Sequence, residues 1–186
     1  MASTPRFTIN DLTKIAVFAA IIAVLGLPGS INLADGVPIT AQTLGVMLAG
    51  AVLGKWRGAA AVVLFEVLVA IGFPLLSGGR GGLSVFVGPS VGFLIGWIFG
   101  AFVIGLIAHR KSAKPHPISL VIGLVLGGIA VVYLFGIPVM AAITGMQLEA
   151  AVVASAVYLP GDLIKVVIAT VITLALWRAY PKAFKN

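Results

Sequence analysis

The sequence predicts an all-α integral membrane protein, a bundle of six transmembrane helices forming one domain over residues 1–186. Three observations predict it. Hydrophobic residues make up 61% of the chain and charged residues 9%, whereas a water-facing domain carries about 25% charge, so most of the surface must be solvated by lipid. Six apolar runs approach the roughly 20 residues that a helix needs to cross a bilayer. When those runs are threaded through a membrane, nearly all the basic residues fall on one side.

The runs are bounded by Pro, Gly or charge. The first covers 12–27 and stops at Pro28-Gly29. The second covers 39–53 and stops at Gly54-Lys55-Trp56-Arg57. The third covers 58–73 and ends at Pro74, and the fourth covers 89–108 and ends at His109-Arg110-Lys111. The fifth covers 118–135, and the last covers 162–177. Several are short, which predicts tilt or local bilayer thinning. In 136–160 the apolar pattern is interrupted by Gln147 and Glu149. That predicts a half-buried helix or loop closing the outer end of the bundle; the competing reading is a seventh span.

With the N-terminus inside, the inner segments hold Arg6, Lys14, Lys55, Arg57, Arg110, Lys111, Lys114, Arg178, Lys182 and Lys185, leaving only Arg80 and Lys165 of the 12 basic residues outside. Asp35, Glu149 and Asp162 are outer, Asp11 is inner and Glu66 lies mid-span. This asymmetry follows the positive-inside rule and puts both termini in the cytoplasm. The net charge of +7 thus reads as topology and implies no nucleic-acid partner. Arg6 and Lys14 before an apolar run also resemble a signal peptide, but no small-x-small cleavage site followed by a polar region supports removal. The chain has no cysteine, which excludes disulfides, thiolate metal sites and a Cys nucleophile. No metal or cofactor is expected.

Gly50-Ala51-Val52-Leu53-Gly54-Lys55-Trp56 echoes a phosphate loop. It is one residue short between its glycines, and Trp56 stands where Ser or Thr would bind magnesium, so no ATP site is expected. Small residues recur four apart at Ala16/Ala20, Ala19/Ala23, Gly92/Gly96/Gly100 and Gly123/Gly127. Such stripes let helix backbones approach closely. The glycines suit packing within the bundle, and the alanines could form a smooth face for another membrane protein.

Three ionisable residues point to a ligand site. Asp162 and Lys165 are three apart at the outer start of the last span, hence on one helical face. Charges at such depth face a cavity or each other. Arg80 lies in Gly78-Gly79-Arg80-Gly81-Gly82, whose bare backbone would leave its guanidinium free to take a carboxylate. Each has a bland reading as well, a structural ion pair and a solvated loop arginine. Glu66 reads as a neutral, hydrogen-bonded acid inside the bundle. An intramembrane enzyme built on Glu66, His109 and His116 is disfavoured because the histidines and the outer pair lie at opposite ends.

Five blocks carry a family resemblance. They are 37–46 (Val37-Pro38-Ile39-Thr40-Ala41-Gln42-Thr43-Leu44-Gly45-Val46), Gly72-Phe73-Pro74, the glycines around Arg80, Gly88-Pro89-Ser90, and Pro160-Gly161-Asp162-Leu163-Ile164-Lys165. In order and spacing they resemble the BioY family, the biotin-specific S components of energy-coupling factor (ECF) transporters. Two departures stand out: Ser90-Val91-Gly92 follows Gly88-Pro89 where the family has Thr-Gly-Gly, and Glu66 is outside the pattern. The resemblance implies the six-helix S-component fold and biotin uptake across a bacterial or archaeal cytoplasmic membrane. It implies a transmembrane coupling protein and two cytoplasmic ATPases as partners, with the Ala16/Ala20 face, flanked by Ala19 and Ala23, meeting the coupling protein. Under that resemblance Asp162 and Lys165 would hold the ureido group and Arg80 the carboxylate. Gln42 or Thr43 would add a neutral hydrogen bond, and Tyr158 or Phe86 would cover the rings. Lys165 could take the carboxylate instead, and a different small vitamin is the alternative ligand.

Overall fold

The computed structural model describes residues 8–29, 37–109 and 115–184; Arg6, Asp35, Arg110, Lys111, Lys114 and Lys185 lie outside them. Six helices form the bundle among the described residues, with no named strand. Helix α1 (Ile9–Val24) starts at a capping box, in which the Thr8 hydroxyl accepts from the Asp11 amide at 3.2 Å and the Asp11 carboxylate accepts from the Thr8 amide at 2.9 Å. Each bond satisfies a donor that the helix start leaves open. The same carboxylate meets Arg57 Nε of α3 (Lys55–Ala70) at 2.7 Å, pinning the two helices at one end.

Helix α2 (Gln42–Leu53) has only 12 residues, about 18 Å of length. It is short because residues 37–41 enter the bundle as irregular backbone and the helix starts only at Gln42. Such backbone is tolerated at membrane depth where it lines a cavity. One residue, Gly54 at φ +80°, joins α2 to α3. Lys55, Trp56 and Arg57 are therefore the first turn of α3 and not the loop that the sequence suggested.

Helix α4 (Val91–Ala108) is central. A Cβ on Gly50 of α2 would stand 2.5 Å from the Ala101 carbonyl, and one on Gly105 would overlap the backbone of Gly54 and Lys55. Glycine at both places lets three helices meet backbone to backbone. Gly92, Gly96 and Gly100 face the next helix in the same way, against Phe135, Val132 and Gly127. The glycine stripes thus serve internal packing.

The last two helices are long. Helix α5 (Pro117–Thr144) is continuous through a π-helical stretch, Leu126–Val131, and α6 (Leu148–Ala179) is continuous through a 3-10 turn at Ala156–Tyr158. At 28 and 32 residues they measure about 42 and 48 Å, well beyond a hydrocarbon layer of roughly 30 Å. No separate half-buried helix at 136–160 exists: the stretch is divided between α5 and α6, which turn at Gly145, φ +74°. Gln147 and Glu149 interrupted the apolar pattern because they sit at this exposed hairpin tip. Helices α4, α5 and α6 are long and apolar enough to cross a membrane; α1 and α3 have 16 residues each.

The core holds Ile22, Met47, Phe65, Ile104, Leu124 and Met140, all fully buried. Leu134 and Val167, 70% and 62% exposed, face outward, as lipid-solvated positions do. At the basic end a short turn, Pro181–Phe184, folds back. Phe184 is fully buried beside Ile15, Ala49, Val52 and Leu53, and Lys14 Nζ donates to the Ala183 carbonyl at 3.2 Å.

Candidate ligand-binding site

A cavity lies at the end of the bundle remote from the Asp11–Arg57 pair. It is walled by residues 37–40, the first turn of α2, the start of α4 and the middle stretches of α5 and α6. Two adjoining lobes share Val37, Pro38, Thr40, Phe93 and Trp97.

The first lobe holds Asp162, Lys165, Thr43, Tyr133 and Tyr158. Lys165 Nζ donates to Asp162 Oδ1 at 2.9 Å and to the Thr43 hydroxyl at 2.7 Å. Tyr133 donates its hydroxyl to Asp162 Oδ2 at 2.8 Å. Both carboxylate oxygens are thus held, each with a further lone pair, and the ammonium keeps one proton beyond the two it uses. The group is fixed in place yet still able to accept from and donate to a ligand. Tyr158 donates to the Val37 carbonyl at 3.0 Å, clasping the segment before α2 onto α6.

The second lobe holds Arg80, Gln42 and Ser90. Leu76 and Arg80 exchange backbone bonds at 3.0 and 3.2 Å, and Gly78 and Gly79 adopt positive φ of 78° and 71°. That tight turn is what the glycines are for. Arg80 Nε donates to the Ser77 carbonyl at 3.3 Å. The two terminal nitrogens make no bond to described residues, so they are free for a bidentate anion.

Several residues singled out in the sequence make further contacts within the bundle. Gln42 is fully buried; its amide nitrogen donates to the Ile22 and Leu75 carbonyls at 3.2 and 3.0 Å, and its oxygen accepts from the Ser77 amide at 3.0 Å. Both amide protons are engaged, so Gln42 braces α1 against the Arg80 turn. Phe86 packs on the core but does not line either lobe; Phe93 and Trp97 do. Ala16 and Ala20 lie on the exposed face of α1, whereas Ala19 is buried in the core and Ala23 is half-buried against it, so these two serve internal packing. Glu66 is buried on α3, and its Oε1 has no hydrogen-bond partner, unlike the bonded acid expected. His109 Nε2 contacts the Ala51 carbonyl at 2.9 Å at the opposite end.

Sequence reasoning missed Tyr133, Phe93, Trp97 and Thr40. Tyr133 carried a signal, being the one residue with a hydroxyl late in the fifth apolar run. Trp97 has its indole nitrogen buried without a partner, in a ring lining both lobes, and nothing in the sequence marked it.

A helical bundle with lipid-exposed flanks and one cavity pairing fixed charges with aromatic rings defines a polytopic membrane protein of the ligand-holding kind. The chain belongs to the BioY family, whose profile matches residues 1–182. It is 50% identical over 178 residues to the biotin transporter BioY of Rhizobium etli, covering 92% of this chain and 95% of that one. It is 48% identical over 183 residues to the biotin transporter BioY of Rhodobacter capsulatus, covering 94% and 96%. The fold is similar to a crystal structure of the S-component for biotin from an ECF-type ABC transporter, with a TM-score of 0.86, 33% identity and 95% of each chain covered.

Proposed function

We propose that this chain binds biotin in the two-lobed cavity and imports it as the substrate-specific subunit of an ECF transporter. The observation that carries the proposal is the Tyr133–Asp162–Lys165–Thr43 network set beside the two free nitrogens of Arg80. Biotin has a ureido ring, a thioether ring and a carboxylate. Asp162 accepts from ureido N–H, the spare Lys165 proton goes to the ureido oxygen, and Arg80 takes the carboxylate. In the other orientation Lys165 meets the carboxylate. Phe93, Trp97 and Tyr158 supply the apolar walls that small-molecule sites use.

Both termini are cytoplasmic in this reading, and the cavity opens outward. A coupling protein docks on the exposed Ala16/Ala20 face, and two cytoplasmic ATPases supply the energy. Equilibrium binding on purified protein in detergent tests the ligand. Biotin should bind, and thiamine and riboflavin should not; equal binding of all three, or of a competitor alone, would refute it.

A further inference from the structure

At the end opposite the cavity, the first turn of α5 and the last turns of α6 border an open groove of about 940 Å³. Its lining includes His116, Ile118 and Ser119 on one side and Leu174, Trp177 and Arg178 on the other. Arg178 lies 16 residues beyond Asp162 along α6, about 24 Å away along the helix axis, so the groove is separate from the ligand site.

Among the described residues the charge in the groove is uncompensated: no described acidic residue lines it, and Arg178 makes no hydrogen bond or ion pair with described residues. The described acids are committed elsewhere. Asp11 is paired with Arg57, Glu66 is buried on α3, Glu149 is at the far end of α6, and Asp162 is near its middle, paired with Lys165. The Ser119 hydroxyl and the amides of Ile118 and Ser119, which precede the first intrahelical bond from Leu120 to His116, add donors.

The groove continues as apolar surface. Ile118, 65% exposed, shares a face of α5 with Val121 and Ile122, also exposed, and Leu174 shares a face of α6 with exposed Val171. Trp177 stands half-buried beside the cation, the position at which amphipathic rings mark the headgroup level. A cation at the mouth of an apolar track fits an amphiphilic anion, and basic pockets between spanning helices are known to take acidic lipid headgroups.

We propose that this groove binds the phosphate headgroup of an acidic phospholipid, with Arg178 and His116 on the phosphate and the acyl chains along α5 and α6. The site is independent of the biotin reading. Native mass spectrometry of the detergent-purified protein tests it, with phosphatidylglycerol, phosphatidylcholine or inorganic phosphate added. Phosphatidylglycerol should be retained about fivefold more than phosphatidylcholine, the scale of one basic residue near a membrane surface. Arg178→Gln should remove that preference, Arg178→Lys should keep most of it, and neither should alter biotin binding. Arg178 is exposed, so neither change disturbs the core. Equal retention of the two lipids, or an unchanged preference in Arg178→Gln, overturns the proposal. Displacement of the lipid by equimolar inorganic phosphate also overturns it, because the site would then be one for a free anion.

Discussion

Asp162 and Lys165 stand one turn apart on α6 and are joined at 2.9 Å, yet neither is closed off. Tyr133 holds the second carboxylate oxygen and Thr43 the ammonium, so the pair is oriented from α5 and α2 while still lining the cavity. Leaving one member of a buried hydrogen-bonded set unpaired costs about 1–3 kcal/mol, and more for charged groups. Asp162→Asn should therefore weaken biotin by roughly tenfold or more, and Lys165→Ala by at least as much. Calorimetry on variants that stay monodisperse decides. Affinity near wild type in both would show that the pair is only a structural clamp.

Arg80 separates two parts of the ligand. Its Nε is used by the Ser77 carbonyl, which aims the guanidinium and leaves its far edge for a carboxylate. Arg80→Ala should weaken biotin by about tenfold, the scale of a lost charge-assisted bond. It should barely affect a biotin analogue in which an amide replaces the carboxylate. Equal losses for both ligands would move the carboxylate to Lys165.

Trp97, whose indole lines both lobes of the cavity, is the detail that the sequence least prepared for. Asp162 and Lys165 were legible because opposite charges three apart in an apolar run must face each other or a cavity. Arg80 was legible because four glycines around one arginine demand a special backbone. Gln42 looked equally polar, but only the fold shows that the end of α1 and the Arg80 turn converge on its amide. Six helices were legible from apolar runs; their ends were not, because Gln147 and Glu149 look alike in a surface helix and at the tip of a long hairpin. The division of the alanines on α1 needed the neighbours of Ala19, which come from distant parts of the chain.

That division gives a partner test with an internal control. Ala16 and Ala20 are exposed, while Ala19 is 3% exposed. Ala16→Leu or Ala20→Leu should reduce co-purification with the coupling protein and leave biotin affinity unchanged. Ala19→Leu should lower the unfolding temperature through overpacking, which costs about 1–3 kcal/mol. If Ala16→Leu and Ala20→Leu lose biotin binding while the coupling protein stays attached, the exposed face is not the docking surface.

Orientation can be read by labelling. Ser84 is exposed on the turn Leu83–Val87 at the cavity end, and Lys182 is exposed on the turn Pro181–Phe184 at the basic end. The chain has no cysteine of its own. A membrane-impermeant maleimide applied to intact cells should modify Ser84→Cys, and should reach Lys182→Cys only after permeabilisation. Labelling of both without permeabilisation would refute cytoplasmic termini combined with an outward cavity.

Glycines distinguish close packing from helix permissiveness. At Gly105 an added methyl would meet the Gly54 carbonyl carbon and the Lys55 backbone, with no flexible side chain able to yield. Gly54 is itself fixed at φ +80° as the single-residue link between α2 and α3, so that backbone cannot retreat without unwinding a helix end. Gly161, inside α6 just before Asp162, has nothing within 4 Å of an added Cβ, and its φ lies in the ordinary range. Gly105→Ala should destabilise by about 1–3 kcal/mol, the usual cost of overpacking. Gly161→Ala should be neutral or stabilising by up to about 1 kcal/mol, from helix propensity alone. Thermal unfolding in detergent, followed by tryptophan fluorescence, should lower the midpoint for the first and not for the second. A Gly105→Ala midpoint at or above wild type would mean that α4 does not meet the α2–α3 link at backbone distance.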